Sequence, residues 1–276
     1  MKLKKYYLSL ELLLVVVGAL SFYPVFLMIV DAFKTREGMA ERPFGFPSPS
    51  EFTLDNMTNA IYKLKFYQPL LNSVWITLVS IILIILVSSL AAYPIARKKT
   101  KLYSFMYFFF LAGLMIPYQL AIITLYKEVM WLGLMNQGLG LILVYGGIML
   151  SFPIFFYSGF IKTVPYELEE AALIDGYGRY RIFFRIVFPL LKPATATIAV
   201  LMILSLWNEF TMALLFLQKP DKVTLTVVTY AFKGQYHVHW PNMFAGLLIS
   251  IFPMVVLFLS VQRFFIRGIT AGALKG

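Results

Sequence analysis

The stretch Leu71–Lys101 reads LNSVWITLVSIILIILVSSLAAYPIARKKTK. No charged residue interrupts it between Leu71 and Tyr93. Apolar residues follow one another instead of alternating, which predicts a helix and not a half-wet strand. Roughly 20 helical residues cross the ~30 Å hydrocarbon layer, and a helix satisfies its own backbone there. The run then meets Arg97, Lys98, Lys99 and Lys101. Clustered Lys and Arg mark the cytoplasmic side, so this segment predicts a membrane span whose C-terminal end lies inside.

The same reading extends along the chain. Leu8–Phe33, Leu102–Leu125, Gly138–Phe160, Pro193–Leu217 and Met243–Phe265 are also long and apolar enough to cross. Together they predict an all-α polytopic membrane protein with six spans, both termini cytoplasmic, in a single transmembrane domain over residues 1–276. With that orientation most of the 24 Lys and Arg residues fall on the inner side. The first segment has a rival reading. Lys2, Lys4 and Lys5 precede an apolar run, and Gly18–Ser21 is small enough for a signal-peptidase site. The run continues through Val30, longer than a signal peptide's apolar region of ~7–15 residues, which favours a retained span. The following outer loop carries Pro43, Pro47 and Pro49 and predicts a short amphipathic piece over Leu54–Leu64.

Composition agrees. Hydrophobic residues make up 60% of the chain and charged ones 13%, against roughly half and a quarter in soluble domains. A net charge of +11 would point a soluble protein toward nucleic acid; here it reads as cytoplasmic-loop bias and attraction to anionic lipid, with no nucleic-acid partner. The absence of cysteine excludes disulfides and thiolate metal sites.

Between the fourth and fifth spans lies a charged loop, residues 161–192, containing EEAALIDGYGRYRIFFRIVFPLLKP (Glu169–Pro193). Pro165 suits the first position of a helix, and Glu167, Glu169 and Glu170 load its positive end. Gly176 suits the left-handed residue that ends it. A second helical piece is predicted around Tyr180–Phe188. Such a loop is ordinarily a solvated surface. Leu168, Leu173, Ile174, Tyr177, Ile182, Phe183 and Phe184, however, are more apolar surface than a short solvated loop carries, and adjacent Ala171 and Ala172 would admit a close neighbour.

Glu170-Ala171-Ala172, Gly176, Ile186 and Pro189 fall at the spacing of the EAA loop of binding-protein-dependent ABC importer permeases, which this sequence resembles. Phe188 stands where that pattern has leucine. Asn72-Ser73, Ile116-Pro117, Trp207-Asn208-Glu209-Phe210, and Ala245 with Pro253 carry the resemblance across nearly the whole chain. They make it similar to carbohydrate-type permeases, and in particular to the second permease subunit of maltose-type importers. The resemblance implies a multi-pass protein of a bacterial-type plasma membrane. Its partners would be a second homologous permease, two ATPase subunits and an external solute-binding protein. A sugar or oligosaccharide would be carried by alternating access. It further implies ATPase coupling through Glu170, Ala171, Ala172, Asp175, Gly176, Ile186 and Pro189, with Glu170 meeting a basic partner. Lys233, Gly234, Gln235 and Tyr236 would form the tip of a loop reaching the binding protein. No cofactor is expected on this chain; ATP and magnesium would sit on the partner ATPase.

Other residues carry chemistry of their own. Glu209 is the acid placed well inside a span, and an intramembrane carboxyl faces a cavity or a partner. It reads either as lining the translocation path or as a packing hydrogen bond to Asn208 or another span. Trp207 and Phe210 offer rings for a sugar face, and Tyr118, Gln119 and Thr124 offer polar contacts, although packing is the commoner use of each. His237 and His239 lack a third ligand at useful spacing, so no metal site is expected. Gly133 and Gly138 have the spacing of a phosphate-loop glycine pair, but Leu139-Gly140 follows where Lys and Ser or Thr are required. Gly176-x-Gly178 lacks the third glycine of a dinucleotide loop. No nucleotide site is therefore expected, and the chain reads as a transporter subunit and not an enzyme. Two alternatives remain at this level: an importer of glycerol-phosphate-type polyol phosphates with the same architecture, and an ion-coupled secondary carrier. The carrier would want several intramembrane acids or a broken-helix ion site.

Overall fold

The computed structural model describes residues 2–63, 65–230 and 239–273. Among these the chain is all-α, apart from an isolated antiparallel bridge between Lys34 and Phe52. It divides into two compact units. Residues 1–67 with 225–253 form one, and residues 68–224 with 254–276 form the other.

In the first unit, α1 (Lys2–Asp31) is followed by α2 (Arg36–Glu41) and α3 (Asp55–Lys63). The amphipathic piece expected at Leu54–Leu64 is α3. Ala32, Ala60 and Ala245 are fully buried together, and Phe33, Met57, Phe244, Leu248 and Ile249 pack on them. Alanines at the centre let backbones approach closely. The outer loop is folded, not loose. Lys34 is fully buried, and its Nζ donates to Asp31 Oδ1 (2.7 Å) and to the Arg42 carbonyl (2.6 Å). Asn56 Nδ2 donates to the carbonyls of Ala32 and Lys34. The Ser48 backbone N–H donates to Glu51 Oε2 at 2.6 Å and is the main cause holding that carboxyl below its ordinary range.

The second unit begins with α4 (Tyr67–Arg97), the helix predicted from Leu71–Tyr93. Ile76, Ser80, Ile84, Ser88, Ala92 and Ile95 are buried at three- and four-residue spacing, so small polar side chains share the packed face with aliphatic ones. Exposed Ile82, Leu86 and Leu90 follow one another on another face.

The expected third, fourth and fifth spans are not single straight helices. The third divides into α5 (Lys101–Gly113), a 3₁₀ turn (Tyr118–Ala121) and α6 (Ile122–Trp131), bent by 92°. Pro117 closes the break, immediately before the 3₁₀ turn. It has no N–H to continue the ladder, and it disfavours helical backbone at the residue before it. The fourth divides into α7 (Gly138–Ile148) and α8 (Ser151–Ile161), bent by 51°. After these come α9 (Glu167–Ile174), α10 (Arg179–Ile182), a π turn (Phe183–Val187), α11 (Phe188–Leu190) and α12 (Lys192–Trp207). The bend into α12 is 74°, with Pro193 at its start. The fifth span is interrupted again at Asn208–Phe210 before α13 (Thr211–Phe216). The remaining helices are α14 (Leu225–Tyr230) and α15 (Trp240–Ala273), and the segment expected as the last span, Met243–Phe265, falls within α15.

Side chains tie the bent pieces of the second unit together. Tyr157 of α8 donates to Thr195 Oγ1 of α12 at 2.9 Å, and Tyr126 of α6 stacks on Phe216 of α13. The Trp75 ring of α4 lies against Gly138, where any Cβ would overlap it.

Candidate functional site

The charged loop folds as its sequence directs at both ends of α9. Glu167, Glu169 and Glu170 occupy the first turn, where the helix dipole favours negative charge. At the other end Gly176 has φ +78°. The Tyr177 N–H donates to the Ala172 carbonyl and the Gly176 N–H to the Leu173 carbonyl, the paired bonds of a Schellman stop. The helix begins two residues after Pro165, which precedes it instead of opening it. The predicted second piece over Tyr180–Phe188 forms α10 and the π turn.

The two adjacent glutamates part company. Glu170 is exposed, whereas Glu169 is 3% exposed and turned into its own chain. Arg97 Nε donates to Glu169 Oε1 at 2.7 Å, and the Tyr93 hydroxyl donates to Oε2 at 2.6 Å. A guanidinium nitrogen of Arg97 also donates to the Val164 carbonyl at 2.9 Å, and the Arg97 head lies 5.5 Å from the Tyr166 ring centre. Tyr93 packs against Phe183 beyond the helix, with ring centres 5.3 Å apart. The last turn of α4 therefore holds the loop before, within and after α9. Sequence reasoning singled out Glu170 and passed over Glu169, Arg97 and Tyr93. The available signal was the four-residue spacing of Tyr93 and Arg97 at the end of a span, opposite a doubled glutamate.

Of the other predicted loop residues, Ala171, Asp175 and Gly176 are exposed beside Glu170, and Ile174 between them is 86% exposed. Ala172 is turned away from Ala171, although both were expected to permit close approach of a partner. It is buried beside Glu169 on the inner face, because three residues of helix return a side chain to the same side. Ile186 and Pro189 are half-buried on the return path.

The residues considered for the translocation path gather only in part. Glu209 is buried, and Tyr145 donates to its Oε2 at 3.0 Å. The Met212 N–H donates to the same carboxylate at 3.0 Å and the Ala213 N–H at 3.3 Å. Glu209 thus caps α13 and joins it to α7, the packing role weighed for it, though through Tyr145 and backbone and not through Asn208. Tyr118 lies within electrostatic reach of Glu209. Asn208 turns back to the Leu204 carbonyl of its own helix at 2.9 Å. Trp207 and Phe210 are half-buried and Gln119 is exposed. Lys233, Gly234, Gln235, Tyr236 and His237 lie outside the described residues. Among the described residues no cluster of three acid, His or Cys side chains is placed to hold a metal.

Residues 84–271 match the family of binding-protein-dependent transport system inner membrane components. The chain is 35% identical to the melibiose/raffinose/stachyose import permease protein MelC of Bacillus subtilis, over 97% of this chain and 96% of that protein. It is 34% identical to the probable starch degradation products transport system permease protein AmyC of Thermoanaerobacterium thermosulfurigenes, over 95% and 94%. It is 33% identical to the multiple sugar-binding transport system permease protein MsmG of Streptococcus mutans, over 95% of each. Among solved structures, a bacterial ABC transporter that imports the acidic polysaccharide alginate superposes with a TM-score of 0.82 at 20% identity. That match covers 95% of this chain and 97% of that one, a likeness of fold.

Proposed function

This chain belongs to the family of binding-protein-dependent transport system inner membrane components, and from that premise we propose that it is a permease subunit of an ATP-driven importer of a sugar or oligosaccharide. Relatives named for melibiose, raffinose and stachyose, for starch degradation products and for multiple sugars support that substrate class. In this reading a second homologous permease completes the pathway, two ATPase subunits bind ATP and magnesium, and an external binding protein delivers the sugar.

The observation that carries the mechanism is the double face of α9. Its outer face presents Glu170, Ala171, Ile174 and Asp175. Its inner face is fastened to α4 through Glu169, Tyr93 and Arg97. An ATPase that grips the outer face moves α4 with the helix, because the buried ion pair does not yield to water. Movement at the nucleotide site becomes movement of a span, as alternating access requires. Glu209 acts by holding α13 on α7, so the broken fifth span moves as a defined piece.

Purification in mild detergent from the native membrane tests the reading. Recovery of one ATPase and one second permease, with ATP-dependent sugar uptake after reconstitution with the binding protein, is the expected outcome. Recovery of this chain alone, transporting without ATP, overturns it.

A further inference from the structure

A cavity of about 420 Å³ opens between the last turns of α4 and the start of α10. Leu90, Pro94 and Phe183 line its apolar part, and Lys98, Arg179 and Tyr180 stand with them in its wall. The charges there are unequal in their commitments. Arg97, also in the wall, is spent on Glu169. Lys98 donates to the Tyr103 hydroxyl and lies over that ring, and neither Lys98 nor Arg179 has a carboxylate partner among the described residues. The cavity therefore presents uncompensated positive charge at the end of a span where lipid headgroups sit. On the hydrocarbon side Ile82, Leu86 and Leu90 are exposed at four-residue intervals along α4. Tyr180, 81% exposed, is the residue type that collects at the headgroup level.

We propose that this cavity binds an anionic phospholipid, with its phosphate between Lys98 and Arg179 and an acyl chain along Ile82, Leu86 and Leu90. Basic pockets at the cytoplasmic ends of helices take such headgroups, whereas a zwitterionic lipid brings its own ammonium beside the two cations and offsets the attraction of its phosphate. Tyr93 and Arg97 line the same cavity and hold Glu169. A bound lipid therefore braces the side chains that fasten α9. The inference rests on the membrane orientation of α4 but not on the transported substrate.

The test is retention of phosphatidylglycerol against phosphatidylcholine by the assembled complex, read by mass spectrometry of the intact, detergent-released assembly. Wild type retains phosphatidylglycerol preferentially, and Lys98→Gln and Arg179→Gln each lower that retention roughly fivefold. Arg181→Gln removes a charge from the same helix but outside the cavity, and it leaves retention unchanged. Equal retention of the two lipids, or equal loss in Arg181→Gln, overturns the proposal. Displacement by millimolar inorganic phosphate also overturns it, since the site would then serve a free anion. A photo-crosslinker at Tyr180 that captures a protein subunit and no lipid overturns it as well. Lipid retention is read without transport, so failure of the sugar-import reading is a separate result.

Discussion

Arg97 Nε lies 2.7 Å from Glu169 Oε1, with 12% of the arginine side chain and 3% of the glutamate side chain exposed. The pair joins the end of a membrane span to a helix 72 residues later in the chain. A charge pair so shielded is costly to break, because removing one partner strands the other away from water.

Glu169→Gln and Glu170→Ala are therefore expected to behave differently although the residues are adjacent. Glu169→Gln should destabilise the subunit by about 3 kcal/mol and lower the thermal unfolding midpoint in detergent. Glu170→Ala should leave that midpoint within the range of a surface change, about 0.5 kcal/mol, while weakening association with the ATPase. Thermal unfolding and co-purification measured on both variants distinguish them. Equal melting of the two would remove the anchoring role of Glu169.

Glu209 and Tyr145 are predicted to act as a structural pair. Glu209→Leu leaves two backbone N–H groups of α13 and the Tyr145 hydroxyl without their acceptor, at a cost of about 2–3 kcal/mol. Tyr145→Phe should cost about 1 kcal/mol alone and much less in the Glu209→Leu background, since its partner is already gone. A double-mutant cycle on thermal stability reads the coupling. Strict additivity would show that the two do not interact.

Gly138 is predicted to be required by Trp75 and not by its own backbone. A Cβ at this position overlaps the indole, so Gly138→Ala should destabilise by about 1–3 kcal/mol through overpacking. Trp75→Leu in the same chain should recover part of the loss by vacating that space. Failure of the second change to rescue the first would place the cost elsewhere.

Stability should carry an acid-dependent contribution from Glu51. Its folded-state pKa lies below the ordinary value of 4.5, chiefly because the Ser48 N–H donates to the carboxylate. A carboxyl lowered on folding stabilises the fold above its unfolded pKa, and that contribution is lost as pH falls through the folded value. Glu51→Gln should thus lower the unfolding midpoint at pH 7, and the difference from wild type should shrink below about pH 4. A difference that stays constant from pH 7 to pH 3.5 would exclude the carboxylate as its source.

What the sequence determined by itself was whatever depends on near neighbours in the chain. Continuous apolarity from Leu71 to Tyr93 was enough for a spanning helix, because lipid leaves the backbone no alternative. Glu167 through Gly176 specified a short helix with a marked start and a glycine stop, since dipole and left-handed backbone are local matters. Pro117 and Pro193 were equally visible, yet the 92° and 74° bends beside them were not. A proline removes a hydrogen bond, but the packing around it decides whether the helix kinks or turns. Tertiary structure alone decided which of two adjacent glutamates faces inward, where Ala172 points, and that Glu209 meets Tyr145. Glu169 and Glu209 answer to partners 64 to 76 residues away. Burial and charge matching act through space, and the identity of a residue does not carry the address of the residue it will meet.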